Sequence, residues 1–232
     1  MKLKLSLLYV LCFLALAFFI HEIHDWAHTL TAWLTTGCWG SRGFDSWTFC
    51  QDTTPYGKRV LAIVVGPLVN FTVLWSGWQR MNADEENVVE QSIGVTMVFA
   101  ALPFNSLLAA LQGGGDPTTA LRYLFPHGNH RFLSMVGLLI VAMVCIPPLV
   151  KAFIVLPWWM GKLFFYPVFL VIPGILDQWL VGKLLNRWLI PPGTTHTNAY
   201  YSVIGWTLFT MTIWLLTRKR LRTLITDEEL PI

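Results

Sequence analysis

Charged residues are scarce in this chain of 232 residues, at 12% of the sequence against about 25% in soluble domains. The 16 Lys and Arg and 13 Asp and Glu residues give a formal net charge of only +3, which is too weak to indicate a nucleic-acid partner. Apolar residues reach 55% and include 12 Trp. A soluble domain, a coiled coil and a disordered chain are excluded, and the composition predicts an integral protein of the lipid bilayer.

Cysteine is equally sparse, with four residues in the chain and no CxxC motif. That absence argues against a thiol-redox centre and against a zinc site built from cysteines. Cys12 and Cys145 lie in apolar runs, where a cysteine behaves as a small apolar side chain. Cys38 and Cys50 share one polar loop, and we expect them to pair only if that loop faces an oxidising compartment.

Long apolar runs dominate the sequence, and about 20 mostly apolar residues suffice for a helix to cross the hydrocarbon of a bilayer. Six stretches have that character, namely residues 5–34, 60–79, 93–112, 132–152, 163–187 and 199–217. A cleaved signal peptide is the alternative for the first stretch, but we interpret it as an uncleaved helix. We therefore predict an all-α integral membrane protein with about six transmembrane helices in a single polytopic domain, residues 1–232, with a short polar tail at 218–232.

The connection between the first two spans, residues 37–59, differs in composition from the spans around it. It mixes Gly, Trp, Phe and Thr with turn-forming residues. This mixture predicts a short membrane-associated β-hairpin.

Basic residues near the span ends bear on orientation. The run at residues 218–222 follows the last span, and Lys and Arg accumulate on the cytoplasmic side of membrane proteins. Because six spans return the chain to its starting side, we expect both termini in the cytoplasm. The location would be a bacterial inner membrane or its equivalent, with the protein crossing it several times.

The end of the first span carries a cluster of ionisable residues in an otherwise apolar helix. Its members are His21, Glu22, His24, Asp25 and His28. Ionisable side chains inside a span are costly and indicate function. His24 and His28 are four residues apart, the spacing that lets two imidazoles on one helix face bind one zinc ion. Asp25 follows the first of them, where an HExxH motif has its general base.

A second register of the same cluster is also chemically reasonable. It uses His21 and Asp25 as the metal ligands and Glu22 as the general base. Imidazole pairs are the commoner zinc ligands, so we favour His24 and His28.

A catalytic zinc ion takes three protein ligands and a water molecule, so one more ligand must come from elsewhere in the chain. Asp116, in the sequence GGGDP, is the first candidate. An aspartate followed by a proline also fits the start of a helix, so capping is the competing role. Asp177 in a later span, and the pair His127 and His130 in a loop, are the alternatives.

In their order along the chain, these motifs resemble those of the site-2 protease family of intramembrane zinc metalloproteases. In that family the helix motif is followed by a small residue and then a glycine, here Ala32 and Gly37. A hairpin-like stretch then leads to a helix that opens with GPLxN, here residues 66–70. A later Asp motif supplies the third zinc ligand, which the resemblance assigns to Asp116. The resemblance covers residues 15–125.

The sequence departs from the family pattern in two places. Asp25 replaces the usual Glu, and GGGDP replaces Leu-Asp-Gly. The expected orientation also differs, because the family's catalytic helix usually reaches its site near the cytoplasmic side. Cytoplasmic termini would put His24 and His28 near the opposite side.

The resemblance implies a metalloprotease-like core at about residues 5–125, with additional transmembrane helices at 132–217. Zinc would be the cofactor and would leave one position for water. Asp25, or Glu22, would then take the proton of that water, and Asn70 would orient the substrate.

The implied partner is a membrane protein, cleaved in a transmembrane or membrane-proximal segment. One alternative is a non-catalytic relative with a structural metal or a polar site. Another is a membrane di-iron hydroxylase or desaturase, a class that needs more histidines than the six present.

Overall fold

A computed structural model of the chain describes residues 2–50, 54–83, 87–156, 159–191 and 196–226. Six helical segments in it are long and apolar enough to cross a membrane. They are Leu7–Thr36, Tyr56–Asn82, Val88–Leu111, His130–Val155, Lys162–Leu189 and Asn198–Thr223. The length and composition of these helices confirm the prediction of a helical, multi-pass membrane protein with six candidate spans.

The chain order of the elements is simple. It is β1 (Lys2–Leu3), α1 (Leu7–Thr36), α2 (Tyr56–Ala83), α3 (Val88–Ala100), α4 (Pro103–Leu111), α5 (Asp116–Leu124), α6 (His130–Val155), α7 (Trp159–Leu176), a π-helical segment (Asp177–Leu185), α8 (Asn186–Leu189), α9 (His196–Thr217), a 3-10 segment (Arg218–Thr223) and β2 (Ile225–Thr226). Two spans are irregular. The third is divided where Leu102 adopts a positive φ of 51° before Pro103, and the fifth changes to π-helix, a feature frequent at functional sites.

Helix α1 is defined by local signals at both ends and packs against α2, α3 and α9. The Ser6 hydroxyl accepts a hydrogen bond from the Tyr9 amide at its start, which is standard N-capping. Gly37, at φ +75°, ends the helix and donates its N–H to the Trp33 carbonyl. Tyr9 is buried and its hydroxyl lies 2.9 Å from that of Thr96 on α3.

The two ends of the described chain lie together. Strand β1 pairs with β2 in antiparallel fashion, and the Lys4 amide donates to the Leu224 carbonyl at 2.8 Å. The Ile225 amide donates to the Ser92 hydroxyl near the start of α3. This is the arrangement that an even number of spans produces.

The predicted β-hairpin between the first two spans is wrong. Residues 37–50, called the disulfide loop below because Cys38 and Cys50 form a disulfide, contain no strand, only one isolated bridge between Arg42 and Trp47. Residues 51–53 lie outside the described part, and α2 already begins at Tyr56. The physical reason lies in Arg42, whose buried guanidinium donates to the carbonyls of Gly43 and Ser46. The backbone of this loop pairs through two hydrogen bonds, from the Gly43 amide to the Ser46 carbonyl and from the Thr48 amide to the Ser41 carbonyl, and the inward-turned Arg42 side chain holds the loop around its guanidinium instead of letting the pairing extend.

Candidate metal centre

Three side chains that the sequence predicted as zinc ligands meet at one point. His24 and His28 project from consecutive turns of α1, with their Nε2 atoms 3.0 Å apart. Asp116 Oδ2 lies 3.2 Å from His24 Nε2 and 3.5 Å from His28 Nε2. Ligand atoms at about 2.0–2.1 Å from a tetrahedral zinc ion are roughly 3.3 Å apart. The triangle therefore has the dimensions of three zinc ligands, with a fourth position left over.

The His28 ring is fixed on three sides. Its Nδ1–H donates to the Ala62 carbonyl of α2 at 2.7 Å, so Nε2 is the ring nitrogen with a lone pair that could bind a metal. The Trp47 ring of the disulfide loop stacks on it, with ring centroids 4.8 Å apart and planes 14° from parallel. A Cβ at Gly66 would come within 2.1 Å of Nε2. The glycine of the GPLVN motif thus provides the space that the imidazole fills.

Asp116 reaches the histidines because glycines precede it. Gly113 and Gly115 have φ of +75° and +80°, and the Gly115 conformation, with ψ 163°, is open essentially only to glycine. The capping role considered from the sequence is wrong, because Gly115 occupies the N-cap position and α5 begins at Asp116. Its carboxylate turns to His24 and His28 instead of capping the helix.

The histidines also lower the pKa of the Asp116 carboxyl group. Burial by itself raises the pKa of this carboxyl group, but hydrogen bonds and charge interactions with His24 and His28 outweigh burial. The pKa is therefore held well below its usual range. Asp116 is ionised at neutral pH, as a metal-binding carboxylate must be.

Both predicted general bases are engaged by one arginine that the sequence analysis did not single out. The Arg42 side chain is fully buried and donates from Nη1 to Asp25 Oδ2 at 2.8 Å and from Nη2 to Glu22 Oε2 at 3.0 Å. Together with His24 and His28, Asp25 nevertheless forms a group whose ligand atoms all lie within 4.8 Å of one another and which could hold a metal ion. An isolated arginine in a polar loop gives no sequence signal of burial, since most such residues are solvated.

The remaining ligand candidates are not part of the triangle. His21 Nδ1 donates to Asp177 Oδ1 at 2.6 Å. Asp177 begins the π-helical segment, and its carboxylate is the hydrogen-bond partner of His21 instead of a third member of the triangle. His127 and His130 are exposed. Because the carboxylate of Asp25 is bound by Arg42, these contacts favour the register of His24 and His28 over that of His21 and Asp25.

Asn70, the predicted substrate-binding residue, lines a cavity beside the triangle. The cavity has a volume of about 260 Å³ and is also lined by His24, Asp116, Asn105 and Ser106. The Asn70 Oδ1 atom is buried and has no hydrogen-bond partner within the described residues. A buried acceptor of that kind is costly unless a bound molecule satisfies it.

Comparisons with known proteins do not assign the chain to a family. No protein-family model matches the chain, and neither a curated protein nor a solved structure gives a significant match. The functional interpretation therefore depends on the geometry of the centre and on the sequence motifs that form it.

Proposed function

We propose that the protein is an intramembrane zinc metalloprotease of the site-2 protease type, which hydrolyses a peptide bond in a transmembrane or membrane-proximal segment of another membrane protein. The triangle of His24, His28 and Asp116 is the observation that supports this proposal. Its edges of 3.0, 3.2 and 3.5 Å fit one tetrahedral ion. Two imidazoles and a carboxylate suit zinc, and three ligands leave the open position that catalysis requires.

The chain's own residues divide the chemical work. A zinc ion held by His24, His28 and Asp116 would supply Lewis acidity, which would lower the pKa of a bound water and polarise the carbonyl to be attacked. Asp25, with an oxygen within 4.8 Å of the histidine nitrogens, would accept a proton from the attacking water and return it to the leaving amine. Arg42 holds one oxygen of that carboxylate and thereby fixes its orientation. Asn70 Oδ1 can accept a backbone N–H of an unwound substrate segment.

A second function is favoured by one observation. Arg42 binds the carboxylates of both Asp25 and Glu22, and the Asp25 side chain is shorter than the glutamate of HExxH. A protein with a metal at the triangle and no proton acceptor would be a non-catalytic relative with a structural metal. The di-iron alternative has less support, because His21 is bound to Asp177 and His127 and His130 lie at the surface.

Metal content tests the first half of the proposal. We expect about one zinc per chain in protein purified without chelators, measured by elemental mass spectrometry. His24→Ala and Asp116→Asn should each lose it, because either change removes one of three ligands. His127→Ala is the matched control and should retain the metal, since His127 is exposed and is not one of the three residues of the triangle. A wild-type protein without metal would reject both the protease and the metal-binding alternative.

Cleavage tests the second half. Terminal-peptide proteomics on membranes from cells that express the wild type or Asp25→Asn should detect new termini near transmembrane segments only with the wild type. Asp25→Asn should keep its zinc, because Asp25 is not in the triangle. Zinc in both proteins with identical termini would favour the non-catalytic alternative.

A further inference from the structure

The residues of the centre are concentrated at one end of the bundle. The disulfide loop follows the C-terminal end of α1, and the glycines before Asp116 follow α4, the second half of the third span. The first and third spans cross in the same direction, so both loops lie at the same membrane face. At a rise of 1.5 Å per residue, His24 is about 18 Å along α1 from Thr36 and about 26 Å from Leu7. His24 is therefore nearer to the end of α1 that the disulfide loop follows.

The opposite end of the bundle holds the paired strands β1 and β2. Lys4 and the basic 3-10 segment, Arg218–Thr223, lie at this end. Clustered Lys and Arg next to a span favour the cytoplasmic face. The connecting segments carry Lys and Arg at both ends of the bundle, so charge by itself is a weak criterion.

The disulfide gives a stronger criterion. Cys38 and Cys50 have their Cα atoms 6.0 Å apart, a normal separation for a bridged pair. Both belong to the disulfide loop, outside the spans, and Cys12 and Cys145 are buried in the bundle. Disulfides persist in oxidising compartments and are rare in the cytosol. Two independent features, the bridge at one end and the basic cluster at the other, therefore give the same orientation.

We infer that the centre of His24, His28 and Asp116 lies in the half of the membrane next to the oxidising, extracytoplasmic compartment. On the proposed function, which this inference extends, the substrate class is a membrane protein cut in the extracytoplasmic half of its span or just beyond it. This placement is opposite to the one that the resemblance to site-2 proteases implies.

Thiol counting tests the bridge. Alkylation of the denatured full-length protein, trapped with maleimide at lysis, should add two labels without reduction and four labels after reduction. The Cys38→Ser/Cys50→Ser variant should take two labels in both conditions. Four labels on the unreduced wild type would overturn the inference, because its main support would be gone.

Accessibility in intact spheroplasts tests the orientation. Two variants in the Cys38→Ser/Cys50→Ser background place one new thiol at each end, His127→Cys near the metal centre's end and Lys219→Cys near the termini, both at exposed positions. A membrane-impermeant maleimide should label His127→Cys in intact spheroplasts and Lys219→Cys only after lysis. The reverse pattern would overturn the inference. Neither result depends on zinc or cleavage, so a failure here is distinct from a failure of the proposed function.

Discussion

At the scale of single residues, His28 is the most tightly held part of the candidate centre. Its side chain is 1% exposed, and its position is set by Ala62, Trp47 and the absence of a side chain at Gly66. A ligand held in this way does not have to be reorganised when a metal binds, which favours affinity. Gly66, the glycine of GPLVN, therefore shapes the candidate centre through the space that it leaves for the His28 ring.

Replacement of that glycine should damage the site. In Gly66→Ala the new methyl would lie 2.1 Å from His28 Nε2, and the ring cannot move without losing its hydrogen bond to Ala62 and its stacking on Trp47. We expect zinc content to fall well below one per chain and stability to drop by about 1–3 kcal/mol. Elemental mass spectrometry and thermal unfolding in detergent would measure the two effects.

The control for this change is Gly57→Ala in the same helix, where a Cβ would meet nothing within 4 Å. It should keep its zinc, and its unfolding temperature should not fall, because Ala at an unstrained helical position does not destabilise the fold. Equal zinc content in the two variants would show that His28 does not occupy its described position.

Arg42 gives a prediction about stability that can be tested without measuring metal content or cleavage. Its fully buried guanidinium is the shared partner of Asp25 and Glu22, so Arg42→Met removes the arginine from two buried carboxylates. Removal of one partner from a buried ion pair costs about 3–5 kcal/mol. The matched change is Arg80→Met, which breaks the Arg80–Glu90 pair, with side chains 45% and 35% exposed, and should cost at most about 1 kcal/mol. Similar losses for both variants in thermal unfolding would contradict the burial of Arg42.

At the scale of elements, the sequence predicted what depends on local periodicity. His24 and His28 share a face because an α-helix repeats every 3.6 residues, and apolar runs located all six spans. The ionisable cluster of α1 divides into two groups, however. His24 and His28 meet Asp116, whereas Glu22 and Asp25 meet Arg42. That division depends on contacts with distant segments, and neither periodicity nor spacing carries such information.

The turn before α5 can be tested with two neighbouring glycines. Gly115 has φ +80°, so Gly115→Ala should cost about 1–3 kcal/mol in backbone strain and displace Asp116 from the histidines. We expect weaker zinc binding, measured by competition with a chromophoric chelator. Gly114 has no positive φ, and a Cβ there would lie at an ordinary 3.6 Å from Ala109 O, so Gly114→Ala should bind zinc as the wild type does. A smaller effect at Gly115 than at Gly114 would reject this description of the turn.

At the scale of the whole molecule, the centre is assembled from four separate parts of the chain. Helix α1 contributes two candidate ligands, the start of α5 contributes the third, α2 contributes Gly66 and Asn70, and the disulfide loop contributes Arg42 and Trp47. The order of the motifs predicted the first three parts. The loop was predicted as a hairpin, because its composition suits strands and its buried arginine gave no signal. Its role follows only from how the bundle packs.

The bridge between Cys38 and Cys50 should therefore affect the metal centre as well as the loop. It closes a segment with a sequence separation of 12, and a cross-link over that length contributes roughly 3 kcal/mol by restricting the unfolded chain. The loop it closes keeps Trp47 over His28, which excludes water and chelators from that side of the ring. Reduction with a phosphine should lower the unfolding temperature and increase the rate at which EDTA removes zinc. In Cys38→Ser/Cys50→Ser the phosphine should change neither quantity, and zinc loss should already be fast. An unchanged rate of zinc loss in the reduced wild type would mean that access to the metal is set by the cavity beside Asn70 and not by the disulfide loop.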